Sequence, residues 1–263
     1  MSHDFDIAAA SYDDVFTNSK IGKAQRDQVH RYLDKVLASE NSMRILELNA
    51  GTGEDAYHMS SSGHQVLATD ISKEMIVICK KKYPNTKIVF QQLDISSITR
   101  NTFDQPFDLV FSNFGGFNCL SKEALTSFFK TAPHLLSEKG KLICVVMPKC
   151  TLWERIYFTL KGDRKKAMRR NSGSCILANV DGVVVKTWYF NPSDIINSKI
   201  NLSVSKVKPI GLWVPPSYLE HSFIGRKSIL SILRLLDYLC NWSFLSKYAD
   251  HYYIELEKIV KTK

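Results

Sequence analysis

One segment constrains this chain more than any other: Ile45-Leu-Glu-Leu-Asn-Ala-Gly-Thr-Gly53. A strand-like run from Met43 to Asn49 breaks into the turn Ala50-Gly51-Thr52-Gly53, and a helix is predicted from Glu54 to Ser61, closed by Gly63. A strand that enters Gly-x-Gly before a helix turns tightly and lets a ligand approach the main chain closely. Many turns use that pattern, so the acids around it carry the argument. Glu47 sits inside the strand, where an ionised carboxylate is costly unless paired, and a cationic amine is a suitable partner. Asp70 ends the next strand, seventeen residues after Gly53, where a carboxylate can accept both hydroxyls of a ribose. Asp94 ends a third strand, in reach of an exocyclic adenine amine.

The rest of the pattern alternates in the same way. Ile21 to Leu37 carries apolar residues at helical spacing. Strands are predicted at His64–Asp70, Lys87–Leu93, Phe107–Ser112 and Lys141–Met147, with helices at Ser72–Lys82 and Lys122–Leu136 between them. Pro84 ends the first of those helices. Most strands are apolar on both faces, which argues a parallel sheet covered by helices, an α/β fold. After Pro148 the rhythm changes. Thr151 to Arg170 reads as one basic helix, Ile176 to Phe190 as a hairpin around Asp181-Gly182, and Asn191 to Asp194 as a helix cap. Leu202–Leu212 and Tyr252–Glu257 are further strands, with a loop and an amphipathic helix between them.

A chain of 263 residues builds one such domain with insertions. The reading is a helical N-terminal lid over 1–40, a cofactor-binding half over 41–150, and cap insertions at 151–195 and 213–248. No run approaches the roughly 18 uninterrupted apolar residues of a membrane span, and the acidic MSHDFD start lacks the apolar core of a secretory signal. Six cysteines without metal-ligand or redox spacing fit a reduced cytoplasmic interior, and no metal is expected. The net charge of +9, concentrated in Lys161–Arg170, favours acidic partners such as phosphates, anionic lipids or an acidic carrier protein. No RNA or DNA module accompanies it, so no nucleic-acid partner is expected.

Two cofactor classes suit three acids on successive strand ends. A dinucleotide is disfavoured because Glu54-Asp55-Ala56 stands where a third glycine would open the helix, and an acidic helix start repels a pyrophosphate. A methionine-derived sulfonium suits the site better. The chain resembles the class I S-adenosylmethionine (SAM)-dependent methyltransferases, within them the type 11-like group. The resemblance covers about residues 5–147: Phe5-Asp-x-x-Ala-x-x-Tyr12-Asp13, Leu46-Glu-Leu-Asn-Ala-Gly-Thr-Gly-Glu54, Thr69-Asp70-Ile-Ser72, Leu93-Asp94, Phe107-Asp-Leu-Val-Phe-Ser-Asn113 and Leu135-Leu-Ser-Glu-Lys-Gly-Lys-Leu142. It implies a Rossmann-like seven-stranded sheet of order 3-2-1-4-5-7-6 with the last strand antiparallel. It also implies that Glu47, Asn49 and Gly51 line the methionine end, that Asp70 holds the ribose and that Asp94 contacts adenine, with Gly53, Ile71, Met75 and Ile95 also expected at the cofactor. Asn49 and Ala50 depart from the glycine and small residue usual there, but Asn tolerates left-handed geometry.

For the acceptor, the resemblance points to the loop Asn113-Phe-Gly-Gly-Phe-Asn118 and to Tyr12 in the lid. Asn113, Tyr12 and His221 are the candidate catalytic groups, with Asn113 and Tyr12 also counted at the cofactor; His251, at the start of the last strand, is a further base candidate. Aromatic residues in the insertions, among them Trp153, Trp188 and Trp213, suit an apolar or planar acceptor as well as simple packing. The helix Lys227–Leu245 suits a cap, a dimer contact or a membrane surface. The expected activity is methyl transfer to a small or lipid-like acceptor, at oxygen. Alternatives are a C-methyltransferase, a carboxyl methyltransferase acting on a carrier protein, and a protein that binds SAM or its product S-adenosylhomocysteine (SAH) without catalysis.

Overall fold

In the computed structural model, which describes residues 5–7, 9, 12–180, 183–197 and 201–259, the apolar strands assemble into one seven-stranded sheet. Its strands are β1 (Arg44–Leu48), β2 (Gln65–Asp70), β3 (Val89–Gln92), β4 (Phe107–Ser112), β5 (Leu136–Val146), β8 (Leu202–Ile210) and β9 (His251–Lys258). β6 (Ile176–Val180) and β7 (Val183–Thr187) form a separate hairpin, whose predicted turn residues Asp181 and Gly182 lie outside the described residues. The sheet order is β3-β2-β1-β4-β5-β9-β8. With the hairpin strands left out of the numbering, this is the expected 3-2-1-4-5-7-6. β1 to β5 run parallel, and β9 runs antiparallel to both neighbours.

Helices cover both faces, as two-sided apolar strands require. On one face lie α1 (Lys20–Leu37), α2 (Glu54–Ser61) and α3 (Lys73–Lys82); Leu33, Met59 and Cys79 pack there against Ile45, Phe111 and Tyr253. On the other, Phe128 and Phe129 of α4 (Lys122–Leu135) meet Leu46, Leu142 and Ile254. Burying a side chain of this size contributes about 1.5–3 kcal/mol. The helix starts are local decisions. Ser19, Ser72 and Ser121 each accept a hydrogen bond from a backbone amide three residues on, satisfying donors that the first turn leaves open.

Three boundaries differ from the sequence reading. The basic helix is broken at Gly162, whose positive φ of 75° ends α5 (Leu152–Leu160) before the short α6 (Arg164–Ala167). β5 starts at Leu136, not Lys141, because Leu136 already pairs with Phe107; the ladder then slips, and Lys141 resumes it opposite Leu109. The late amphipathic helix α8 (Lys227–Leu239) stops six residues short of the expected Leu245 and gives way to a 3-10 turn over Ser243–Tyr248. Between Phe190 and β8, α7 (Pro192–Ile196) opens with a capping box of Asn191 and Asp194, the helix start expected there. The sheet ends differ too: β3 is only four residues long, while β8 carries Pro209 and a register shift between Val204 and Lys206. Among the described residues, no helix is long and apolar enough to cross a membrane.

Candidate functional site

The carboxyl ends of β1, β2 and β4 converge on a cavity of about 350 Å³. The turn after β1 uses three left-handed residues, Asn49 (φ 51°), Gly51 (55°) and Gly53 (84°). Gly53 is required there twice over: besides its φ, a Cβ would press against Cys79, Tyr83 and Phe90 at 3.1–3.3 Å. The turn is clamped from β2. Asp70 accepts hydrogen bonds from Gly51 N and Ser72 N, one on each carboxylate oxygen, both at 2.9 Å. Burial pushes its pKa up to about 6, against the pull of those amides.

Asn49 does the equivalent work toward β4. Its amide donates to Asn113 O at 2.6 Å, and its oxygen accepts from Ser112 Oγ at 2.5 Å. Gly116 lies against that carboxamide so closely that a Cβ there would overlap it. Gly116→Ala is therefore expected to cost about 1–3 kcal/mol in urea unfolding, a typical overpacking penalty. A loss under about 0.5 kcal/mol would show that Asn49 turns aside freely and does not tie the two loops.

The N-terminal segment closes one wall. Phe5 and Tyr12 line the cavity, and Tyr12 lies beside Gly51. Asp13, in the π-helical turn that follows, accepts from Thr52 Oγ1 at 2.6 Å and pairs with Lys82 at 2.8 Å. The opposite wall is Phe114, Gly115, Gly116, Cys119 and Leu120 of the loop after β4, with Trp188 from just past β7. Asn118, fully buried, holds that wall together: its carboxamide bonds the backbone of Met147 at the end of β5 and of Trp188 at the exit of the hairpin.

Of the residues singled out in the sequence, Tyr12, Asn49, Gly51, Asp70, Ile71, Met75, Asp94 and Ile95 line this one cavity. Four others do not. Gly53 lies behind the turn, packed on α3 and β3. Glu47 points to the α1–α2 face, with one carboxylate oxygen buried and without a hydrogen-bond partner. Burial, and then the charge of Asp55, push its pKa well above the usual carboxylate range. Asn113 spends its carboxamide on Asp55 Oδ2 (2.8 Å) and on the amide of Phe114, so it faces a small chamber behind Tyr12 and not the main cavity. His221 is exposed on a turn, because its neighbour Glu220 folds inward to accept from the amides of Lys20 and Ile21. It brings no base to the cavity.

Tyr12 is also a poor base. Burial raises its pKa to about 12 against the nearby Arg26, so its hydroxyl keeps its proton at neutral pH. Burial holds the Cys119 thiol at about 12 in the same way. His251 is buried behind Phe114, whose ring meets the imidazole edge-on at 5.3 Å.

Beneath the turn is a charge cluster that the sequence reading did not find. Asp55 meets Arg26 at 3.4 Å, His30 at 2.6 Å and Asn113 at 2.8 Å. Burial works against its charge, yet the Arg26 guanidinium, His30 and Asn113 outweigh it and hold the carboxyl well below the usual range. Arg26 also sits between the rings of Phe16 and Phe114, at 5.6 and 5.5 Å. Its signal was present in the sequence: Gly22, Arg26 and Val29 share one face of α1 with buried neighbours.

Residues 45–140, which contain the glycine turn, all three acids and the β4 loop, match the family model described as a methyltransferase domain. Over that stretch the chain is similar to methyltransferase domains. The chain is 30% identical over 137 residues to the putative methyltransferase YqeM of Bacillus subtilis, across 51% of this chain and 52% of that protein. It is 29% identical over 144 residues to the malonyl-[acyl-carrier protein] O-methyltransferase of Bacillus anthracis, across 53% of this chain and 49% of that protein. The chain thus spans about half the length of these two relatives. Its fold extends the likeness beyond the domain. The magnesium protoporphyrin IX methyltransferase of Synechocystis PCC 6803, solved with bound SAH, superposes with a TM-score of 0.56 at 13% identity, over 91% of this chain and 88% of that one.

Proposed function

We propose that this chain transfers a methyl group from SAM to a small-molecule or lipid-like acceptor, with oxygen as the receiving atom. The observation that carries the reading is Asp70, which lines the cavity with one amide on each of its oxygens. Each oxygen retains acceptor capacity, as a ribose with two vicinal hydroxyls needs. The neighbouring residues fit the same ligand. Ile71, Met75, Leu93 and Ile95 supply apolar surface for a purine, and Asp94, fixed by Ser96 N at 2.8 Å, supplies an acceptor at its edge. The ionised Asp55 in the first turn of α2 opposes a pyrophosphate there.

When bound, SAM supplies an electrophilic methyl carried on a sulfonium. The chain's own contribution is then mostly positioning and exclusion of water. Asn49 and Gly51 form the floor near the turn, and Tyr12 covers it while keeping its proton. Phe114, Leu120 and Trp188 offer an apolar seat for the acceptor. With Tyr12 and Cys119 both protonated at neutral pH, the seat favours an acceptor oxygen that is already acidic, such as a carboxylate or a phenol. An acidic carrier protein bearing such a group is a second reading, supported by the exposed cations Arg164, Lys165 and Lys166. Transfer to carbon and binding without turnover are the remaining alternatives.

Calorimetry with SAH tests the cofactor half. Micromolar binding is expected at pH 7.5, weakening as the pH falls through about 6 and reaching about tenfold weaker near pH 5, because only the ionised Asp70 accepts both hydroxyls. Absence of binding by folded protein would remove the proposal. A flat pH profile would remove Asp70 as the ribose anchor. Turnover is then read as label transferred from methyl-labelled SAM in a screen of carboxylic and phenolic acceptors. Failure of the whole screen with intact SAH binding would favour the non-catalytic alternative.

A further inference from the structure

The helix α8 is apolar on both faces, with Leu230 and Leu233 packed inward against α1 and the loop after β8. Its inward face carries the buried Asp237, which accepts hydrogen bonds from the backbone amides of Leu212, Trp213 and Val214 at 2.8–3.1 Å and so fixes the helix on the loop after β8. Its outward face is apolar at helical spacing. Ile232, Leu235, Leu239 and, just past its end, Trp242 are each 56–61% exposed. Tyr238 and Phe244 extend this surface, and the Trp242 and Phe244 rings stack at 6.2 Å. A solvated helix places such residues inward and its acids outward. Leaving them outside is a sign of an occupant.

The charges say which. Between His221 and Tyr248 the cations are Arg226, Lys227, Arg234 and Lys247, and the sole acid is Asp237, which is buried on its three amides. Arg31 of α1 lies 4.9 Å from the Tyr238 ring, and the nearby Asp27 is neutralised by Arg234 at 2.7 Å. A twofold contact with a second copy would bring this cationic surface against itself. An anionic partner is complementary to it, and aromatic rings beside apolar stems and flanking cations suit the headgroup boundary of a bilayer.

We propose that α8 and the Trp242–Phe244 turn dock this protein on the surface of anionic lipid bilayers, with Ile232, Leu235, Leu239 and Trp242 entering the headgroup boundary. The inference stands apart from the methyltransferase reading, since none of these residues lines the cavity.

Flotation of the full chain with vesicles tests it, using phosphatidylcholine alone and an equal mixture with phosphatidylglycerol. The protein floats with the mixed vesicles, and added salt weakens that binding. Leu235→Ser/Leu239→Ser lowers partition at least tenfold while the melting temperature holds, because both side chains are already exposed. Arg226→Gln/Lys227→Gln lowers it several-fold. Trp242→Phe removes the blue shift in tryptophan emission that accompanies binding. Three results overturn the proposal: no flotation with the mixed vesicles, equal flotation of wild type and the Leu235/Leu239 variant, or a sedimentation dimer dissolved by that variant without any vesicle binding.

Discussion

Asp70→Ala is expected to weaken SAH binding by at least about 100-fold at pH 7.5, measured by calorimetry, because two hydrogen bonds to a charged acceptor at about 1.5–3 kcal/mol each disappear together. Asp70→Asn retains one acceptor oxygen and should fall between the variant and wild type. The folded state should suffer much less. Asp70 is a strained choice for stability: its folded pKa is raised from 3.8 to about 6, so the unliganded fold holds its proton more tightly than the unfolded chain does. The stability this gives is present at low pH and is lost as the pH rises through about 6. At pH 7.5 the ionised carboxylate is a burden on the unliganded fold, offset in part by the amides of Gly51 and Ser72. Removing it should shift the unfolding free energy by no more than about 1 kcal/mol. A variant that loses binding and unfolds in the same measure would instead make Asp70 a structural clamp of the glycine turn.

Arg170→Met should have the largest effect on stability, about 3–5 kcal/mol in urea unfolding. The guanidinium is buried and joins parts of the chain far apart in sequence. It donates to Glu154 in α5 at 2.8 Å and to both the carboxylate (2.8 Å) and the carbonyl (3.0 Å) of Asp250, just before β9. Gln25 of α1 reaches the same Asp250 at 3.2 Å, and the Tyr189 ring lies 5.1 Å from the guanidinium. Methionine fills similar volume but leaves two buried carboxylates short of a cation, and that uncompensated charge is the main cost. Arg169, which holds Glu154 at 2.6 and 3.0 Å, limits the damage on the cap side. Arg170→Lys should recover less than half of the loss, since an ammonium cannot make the forked contacts. A loss below about 1 kcal/mol would mean that water enters and solvates the pair. Because His251 follows Asp250 and packs on Phe114, loosening this junction should also disturb the wall of the cavity.

Much of this architecture is legible in the residues. The five parallel strands declare themselves as short apolar runs, and the acids that end β2 and the stretch after β3 mark the cofactor side because polar groups gather where strands stop. Asn49 was anticipated in a left-handed turn and is there. The misses share one cause, contacts between distant segments. Nothing near His221 shows that Glu220 turns inward to cap α1 two hundred residues earlier. Asn113 looks available to a ligand until α2 places Asp55 beside it. Glu47 reads as a partner for an amine, directly or through water, and its strand position sends it to the face shared with Arg26 and Asp55. Spacing alone does not separate the aromatic residues of the insertions, and the fold selects Trp188 through Asn118.

The two ends of the sheet carry a consequence for how this protein behaves in a crowded solution. A β-sheet with open margins can recruit a strand from a neighbouring molecule and grow. Here β3 offers only four residues, so little template is exposed. At the other margin, β8 carries Pro209, which has no amide to donate, two lysines, and a slip between Val204 and Lys206 in its pairing with β9. These features disfavour strand-by-strand growth at both margins, so copies of this chain should resist fibrillar association even when its apolar outer helix brings them together on a shared surface.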